Sequence, residues 1–398
     1  MGHIVFAWEL GRNLGHLFRF LPIAERLRSR GHRISFCVKD LSRVAPVLDP
    51  LGFAYLQSPA WLPSAAGMPS PQSYADIMLR NGFLQPETLA GPVHAWRHTF
   101  ELLQPDLLVL DHAPSALVAA RGLDVPASLI GSGFLIPPRL DPLPPFLSNV
   151  KRPPGQLKQT NQRALDSVNR VLQADGLQTL GRLNELFEVD ESFLCTIPEL
   201  DHYPQRPTAR YWGPLYNIDT GIEPRWPGNG QAGKRVFAYL YPETPGFRPL
   251  LEALRGLSVE VLIYAPGLSP VDTRALQGDS LRFSPQPLRM RDILQQADLI
   301  VSHGSFGTIS AALMAGRPVL MMPMQTEQTV ISRRVEKQGL GLSVGQQQAN
   351  TLYRKQCQQL LEDDGYSQRA QELSARYAGQ TLEERIDAIT DRCEELLA

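Results

Sequence analysis

Residues 298–341 read DLIVSHGSFGTISAALMAGRPVLMMPMQTEQTVISRRVEKQGLG, and this stretch decides the fold. The apolar run Leu299–Val301 meets a polar turn, Ser302-His303-Gly304-Ser305, and a helical pattern follows at once. Gly316-Arg317-Pro318 ends that helix, a second apolar run covers Val319–Met322, and Pro323 opens a short polar loop ending in Glu327-Gln328. The order is strand, tight turn, helix, strand, polar loop. Small residues at the turn leave backbone N–H groups free at the start of a helix, where an anion binds readily. A histidine stands at the same point.

The same rhythm recurs along the chain. His3–Trp8 is an apolar run, and Glu9–Leu14 is a loop containing Gly11. From Gly15 to Arg30, apolar residues recur at helical spacing, at Leu17, Phe20, Leu21, Ala24 and Leu27. Gly31 stops that helix before a strand at Arg33–Val38. Further strands are expected at Asp106–Leu110, Ala127–Ile130, Arg235–Tyr241 and Val259–Ala265. Strands alternating with helices make an α/β protein with parallel sheets. Two long insertions interrupt the first half: 58–72, rich in Pro, Ser and Ala, and the proline-rich 137–154. Loops of this length in a compact domain tend to be functional. Pro214, Pro224, Pro227 and three nearby glycines mark a linker. The expected organisation is one domain over 1–213, a linker over 214–233, a second domain over 234–380 and a last helix over 381–398.

Composition narrows the function classes. With 398 residues the chain exceeds one ordinary core, so about two domains are expected. Hydrophobic residues make up 43% and charged residues 20%, the balance of a soluble globular protein. A net charge of −1 argues against a broad nucleic-acid footprint. Cys37, Cys195, Cys357 and Cys393 are far apart, so neither a disulfide framework nor a zinc knuckle is expected, and a cytoplasmic setting fits. The short run Ile4–Trp8 precedes Glu9 and is no signal peptide. No apolar run reaches the ~18 residues of a spanning helix, which leaves peripheral membrane contact open.

The 298–341 stretch also resembles the donor-binding signature of the nucleotide-sugar glycosyltransferases of the GT-B fold, the UDP-glycosyltransferase superfamily. The matching positions are His303-Gly304-Ser305-Phe306-Gly307-Thr308, Ala311-Ala312-Leu313, Gly316-Arg317-Pro318, Pro323, Glu327-Gln328 and Gly339-Leu340-Gly341, in register without a gap. A lone glycine turn would be weak; this many positions in register is specific. The resemblance implies two Rossmann-like domains with parallel sheets facing a central cleft, the first binding the acceptor and the second the nucleotide sugar. It implies that the last helix crosses back to the first domain, and that the proline-rich loops shape the acceptor site. The implied activity is that of an inverting glycosyltransferase of hexosyltransferase type. Such an enzyme moves a sugar from a UDP or dTDP donor to a hydroxyl of a small-molecule, natural-product or lipid-like acceptor. No metal or other cofactor is expected, and no Asp-x-Asp motif occurs.

His16 follows Gly15 at the start of the first helix, where helix N–H dipoles disfavour an imidazolium and favour a neutral base. Alone it reads first as a surface or capping histidine; the resemblance overturns that and makes it the base that activates the acceptor. Asp111 ends the Leu107–Leu110 strand, and sites in α/β sheets lie beyond the carboxyl ends of strands. A carboxylate there can fix the imidazole tautomer. Its other reading is a strand-end turn residue. Glu9 reads equally as an acceptor ligand, a partner of Arg12 or a helix cap; Arg12 and Asn13 are further acceptor-side candidates. On the donor side the resemblance assigns His303, Gly304, Ser305, Gly307 and Thr308 to the diphosphate, and Glu327 and Gln328 to sugar hydroxyls. Gln286 joins them from the segment that precedes the motif. His94 and His98, four apart on a helix, lack a third ligand and read as a solvated or packed pair.

The chain also departs from the family pattern. Ser305 replaces a glycine, Ile331 a common asparagine, and Ala311 the glutamate that holds both ribose hydroxyls in many UDP-sugar enzymes. Alanine there favours a 2′-deoxy nucleotide such as dTDP. The base-stacking segment reads Phe283-Ser284-Pro285-Gln286, and the first strand of the second domain ends Tyr239-Leu240-Tyr241-Pro242 instead of in a small turn. Two other functions fit the same fold, a nucleotide-sugar epimerase and a catalytically silent nucleotide-sugar-binding protein.

Overall fold

The computed structural model describes the chain apart from residues 12–13, 62–66, 68–69, 148–150, 217–218, 229–232 and 346–347. It divides into two compact units: Met1–Leu215 with Leu382–Ala398, and Tyr216–Thr381. The first unit holds β1 (His3–Trp8), β2 (Arg33–Val38), β3 (Ala54–Gln57), β4 (Leu107–Asp111), β5 (Ala127–Gly131) and β6 (Glu191–Leu194). Its helices are α1 (Gly15–Ser29), α2 (Leu41–Leu48), α3 (Tyr74–Met78), α4 (Pro86–Leu103), α5 (Pro114–Ala120) and α6 (Gln156–Ala174). The second unit holds β7 (Arg235–Tyr239), β8 (Glu260–Tyr264), β9 (Leu281–Ser284), β10 (Leu299–Ser302), β11 (Val319–Met321) and β12 (Gly341–Ser343). Its helices are α7 (Phe247–Arg255), α8 (Pro270–Leu276), α9 (Met290–Gln296), α10 (Phe306–Met314), α11 (Thr326–Lys337), α12 (Asn350–Glu362) and α13 (Asp364–Arg376); α14 (Leu382–Leu396) belongs to the first unit.

Each unit is one six-stranded sheet, ordered β3-β2-β1-β4-β5-β6 and β12-β11-β10-β7-β8-β9. Every ladder is parallel. The two orders are one topology, the doubly wound Rossmann order, with β7 in the place of β1 and β10 in that of β4. The winding reverses between β1 and β4, and again between β7 and β10. Ligands bind in such sheets at the carboxyl ends of those strands. Both strand pairs end at residues singled out from sequence, Asp111 beside the α1 loop and His303 after Ser302.

Buried parallel strands need apolar side chains on both faces, which is why their sequences read as unbroken apolar runs. In the first unit Ile4, Phe6, Trp8, Leu107 and Val109 join Leu17, Phe20, Leu21, Ala24 and Leu27 of α1 in one core. The second unit has an equivalent core around Val236, Ala238, Val261, Val301 and Leu320. Ile386, Ile389 and Cys393 of α14 are buried in the first core. Arg30 reaches Asp391 at 2.6 Å and Glu394 at 2.7 Å, and His32 reaches Glu394 at 3.0 Å. Exposed ion pairs contribute about 0–1 kcal/mol each, so the apolar seam holds α14 and the charges set its register.

The segment read as a linker is not a free tether. Ile222 bridges Leu288, and Trp226 Nε1 donates to Gln296 Oε1 at 2.8 Å, so it packs on the second unit. The two long insertions meet each other, with Ser73 bridging Pro145 and Phe146 N donating to the Gln72 carbonyl at 2.8 Å.

Candidate active site

In the first unit, strand alternation brings Leu107, Val109 and Asp111 to the face covered by α1. Asp111 lies opposite Trp8 in the ladder. The chain leaves β1 at Trp8, turns through Gly11 and returns as α1, placing His16 over Trp8 with ring centroids 5.0 Å apart and planes 18° apart. His16 Nδ1 donates to Asp111 Oδ1 at 3.0 Å. Asp111 is fully buried. An ionised carboxylate accepts only, so Nδ1 carries the hydrogen and the Nε2 lone pair is left for another partner. Gly11 (φ +95) lies against Nε2; a Cβ there would collide with that atom.

Arg19 was not singled out by sequence. It donates from Nη1 to Asp111 Oδ2 and is 8% exposed. The signal for it was its spacing, one turn beyond His16 on the same helix. Burial opposes the charge on Asp111, but Arg19 first and His16 second outweigh it and hold its pKa below the ordinary carboxylate range. His112 follows Asp111 in the left-handed region (φ 49) and is hydrogen-bonded to the Tyr74 hydroxyl at 3.0 Å. Burial, reinforced by the His16 charge, lowers its pKa to about 3, so His112 stays neutral.

Glu9 is turned into the fold, where it caps α5. It is 3% exposed, and Oε2 accepts from Ser115 N at 3.0 Å and Ala116 N at 3.4 Å. Alternation along β1 turns Glu9 away from the Trp8 face, onto the first turn of α5, whose free N–H groups it satisfies. Arg12 and Asn13 lie outside the described residues. Burial raises the Glu9 pKa to about 7 against the opposing Ser115 hydrogen bonds. A raised folded pKa gives stability that is present below the unfolded value and lost as pH rises through the folded one. Glu9→Gln is therefore expected to flatten the decline in stability between about pH 5 and 8, by about 3 kcal/mol over that span. Urea unfolding of both proteins across that range measures it; parallel curves would show that Glu9 does not titrate there.

In the second unit, β10 ends at Ser302 and His303 follows, 2% exposed. Gly304 adopts φ +84 and donates from N to Ser302 Oγ at 3.1 Å, the left-handed turn that swings the chain into α10. Ser305 Oγ donates to Thr308 Oγ1 at 2.9 Å, so the Thr308 hydroxyl hydrogen remains available. That contact is what serine adds in place of glycine. Burial lowers the His303 pKa to about 4, against a hydrogen bond that the ring donates to the Tyr239 backbone carbonyl, so its ring is neutral. Its Nδ1 is buried without a hydrogen-bond partner. The rings of Tyr239 and Tyr241 flank it at 5.3 and 5.1 Å, and their hydroxyls lie 3.2 Å apart. The tyrosines that replace the small turn thus form a phenolic wall beside His303.

A Cβ at Gly307 would meet nothing within 4 Å, so the first turn of α10 is open on that side. Gly307→Val is expected to fold with a stability change within about 0.5 kcal/mol while losing at least about tenfold in nucleotide affinity. The thermal shift given by dTDP and UDP measures this; an undiminished shift would place the diphosphate elsewhere.

Gln328 is 2% exposed, and its Oε1 accepts from Met324 N at 2.8 Å. Its amide oxygen therefore shapes the loop before α11. Glu327 lies half-buried in the first turn of α11. Gln286 is exposed beyond β9, and its carbonyl accepts from Ser284 Oγ at 2.7 Å. Ala311 is 3% exposed and, with Leu294, Met314 and Arg291, lines a cavity of about 310 Å³ between α9 and α10. His94 Nε2 pairs with Asp175 Oδ1 at 3.0 Å, on a surface that Arg97 also shares. Among the described residues no group of three His, Cys, Asp or Glu could hold a metal ion.

Two Rossmann-type units with these strand ends define the GT-B class of fold. Residues 248–396 match the family model of the erythromycin biosynthesis protein CIII-like C-terminal domain. The zeaxanthin glucosyltransferase of Pseudescherichia vulneris is 24% identical over 378 residues, covering 89% of each chain. The crystal structure of a calicheamicin glycosyltransferase superposes with a TM-score of 0.75 at 18% identity, covering 100% of this chain and 98% of that one. A spinosyn rhamnosyltransferase complexed with thymidine diphosphate gives a TM-score of 0.68 at 18% identity, over 95% of this chain and 96% of that one. The chain is a glycosyltransferase of GT-B fold, similar in sequence to members of the UDP-glycosyltransferase superfamily.

Proposed function

We propose that this glycosyltransferase inverts configuration, moving a sugar from a nucleoside diphosphate to a hydroxyl of a small-molecule or lipid-like acceptor. The observation that carries the reading is the His16–Asp111 pair at the carboxyl ends of β1 and β4. His16 Nε2 takes the proton of the acceptor hydroxyl, and Asp111 stabilises the imidazolium that forms. The acceptor oxygen bonds to the anomeric carbon as the bond to the diphosphate oxygen breaks. One displacement from the far face inverts the configuration, and the nucleoside diphosphate leaves with the electron pair. Charge grows on that diphosphate in the transition state. The N–H groups opening α10, the Thr308 hydroxyl and a neutral His303 are donors suited to it, and fixed donors of this kind act where charge develops. These groups take the part that a cation plays in other transferases, so the reaction is read as metal-independent; full activity in EDTA would support this, and loss reversed by a divalent ion would overturn it.

The donor is read as a dTDP sugar. Ala311 offers a methyl where superfamily enzymes that use UDP sugars often place a ribose-binding glutamate, and a deoxyribose lacks the 2′-hydroxyl that glutamate would hold. The thymidine diphosphate bound by the spinosyn rhamnosyltransferase agrees with this. A cytoplasmic location is part of the same reading. No helix among the described residues is long and apolar enough to cross a membrane.

The test is incubation with dTDP- and UDP-glucose, with and without a panel of phenolic, polyketide and carotenoid alcohols, followed by NMR of the product sugar. A glycoside of inverted configuration is expected, formed faster from dTDP-glucose. A retained configuration would overturn the single displacement. A new nucleotide sugar formed without acceptor would instead identify an epimerase.

A further inference from the structure

The carboxylate of Asp111 is divided between two residues of one helix. Oδ1 accepts from His16 Nδ1 at 3.0 Å, and Oδ2 accepts from Arg19 Nη1. His16 and Arg19 are three apart on α1 and so share a face. The Arg19 and Asp111 side chains are 10% and 0% exposed, so bulk solvent screens neither.

A base must be neutral before it acts. At that stage His16 offers Asp111 a hydrogen bond but no charge. A fully buried carboxylate facing only neutral groups tends to take up a proton, and a protonated carboxyl donates as well as accepts. Nδ1–H would then no longer be enforced, and the Nε2 lone pair would be lost in part of the population. A guanidinium, by contrast, stays charged throughout the cycle. We propose that Arg19 is a positioning residue: it keeps Asp111 an acceptor-only carboxylate while His16 is neutral, and thereby locks the imidazole with hydrogen on Nδ1 and Nε2 open to the acceptor.

The other groups around the carboxylate do not supply that charge. His112 is neutral, with a pKa of about 3. Burial pushes the Tyr74 phenol well up and the Cys195 thiol to about 12, so both are uncharged. Glu9 is itself an acid, turned onto α5, and Lys39 acts on His112 through its charge.

The inference rests on the proposed role of His16, and its test is separable from that role. The full chain labelled with ¹⁵N-histidine is studied by long-range ¹H–¹⁵N NMR at about pH 9, well above the ordinary histidine range. His16 is assigned from the His16→Gln spectrum. Wild type is expected to show the Nδ1–H form of His16. Arg19→Met is expected to raise the Nε2–H population about tenfold, as loss of one charge-assisted hydrogen bond implies, and Arg19→Lys to restore the wild-type pattern. An unchanged Nδ1–H pattern in folded Arg19→Met overturns the inference, as does an Nε2–H form in wild type. Should Arg19→Met fail to fold, Arg19→Gln replaces it, with the same two outcomes. Normal transfer by His16→Ala would remove the base while leaving the tautomer result standing. An inactive His16→Ala with an unchanged tautomer in Arg19→Met would remove only the role of Arg19.

Discussion

His16→Ala is expected to slow sugar transfer by about 10²–10⁴-fold, the usual contribution of a positioned general base, while nucleotide binding is unchanged. The separation follows from topology. His16 hangs on the β1–α1 turn of the first unit, whereas the His303 turn and α10 belong to the second. The ring of His16 is held by stacking on Trp8 and by one hydrogen bond to Asp111. Alanine removes both contacts without leaving a buried charge, because Arg19 still pairs with Asp111. The fold should therefore persist. Initial rates with dTDP-glucose, together with the thermal shift caused by dTDP, check both halves. Transfer near the wild-type rate with dTDP binding intact would sink the base assignment.

Asp111→Ala is expected to cost both activity and stability. Removing the carboxylate strands the Arg19 guanidinium in a buried site, and breaking a buried ion pair from one side costs about 3–5 kcal/mol. Loss of tautomer control should cut transfer by up to about 10⁴-fold. The pH dependence has a definite sign. Because Arg19 and His16 depress the folded pKa of Asp111 despite its burial, its contribution is present above the unfolded value of about 3.9 and is lost as pH falls through the folded one. Wild type should lose this increment on acidification below about pH 4, and Asp111→Ala should lack that part of the slope. Urea unfolding at pH 7 and pH 3 would measure the difference. Equal stability of the two proteins at pH 7 would show that the pair contributes nothing net.

The central strands were legible because burial on both faces forces continuous apolar runs: Leu299–Ser302 appears where the sequence places it, and β1, β2, β4, β5, β7, β8 and β11 do so within a residue or two. Four outer strands were not. β3 is mostly exposed, with burial only partial at Tyr55, and β6, β9 and β12 are short and mixed. A strand at or near a sheet edge is paired through its backbone with little apolar demand on its side chains, so no hydrophobic pattern announces it. Glu9 was ambiguous for a related reason. Sequence shows a carboxylate beside a histidine, but alternation along β1 turns it to the opposite face, onto α5.

From the sequence alone came the α/β class, two units built on the same rhythm, the anion-ready turn at His303 and the candidate pair His16 and Asp111. The first three follow from local physics, namely apolar periodicity and small residues at a turn; the pair rested on the resemblance to the glycosyltransferase pattern. Tertiary structure alone decided which of these residues meet. The parallel register of β1 and β4 sets Asp111 opposite Trp8 and beneath His16. Helical periodicity then carries Arg19 to the other carboxylate oxygen, and no linear spacing between residues 19 and 111 could have shown that pairing.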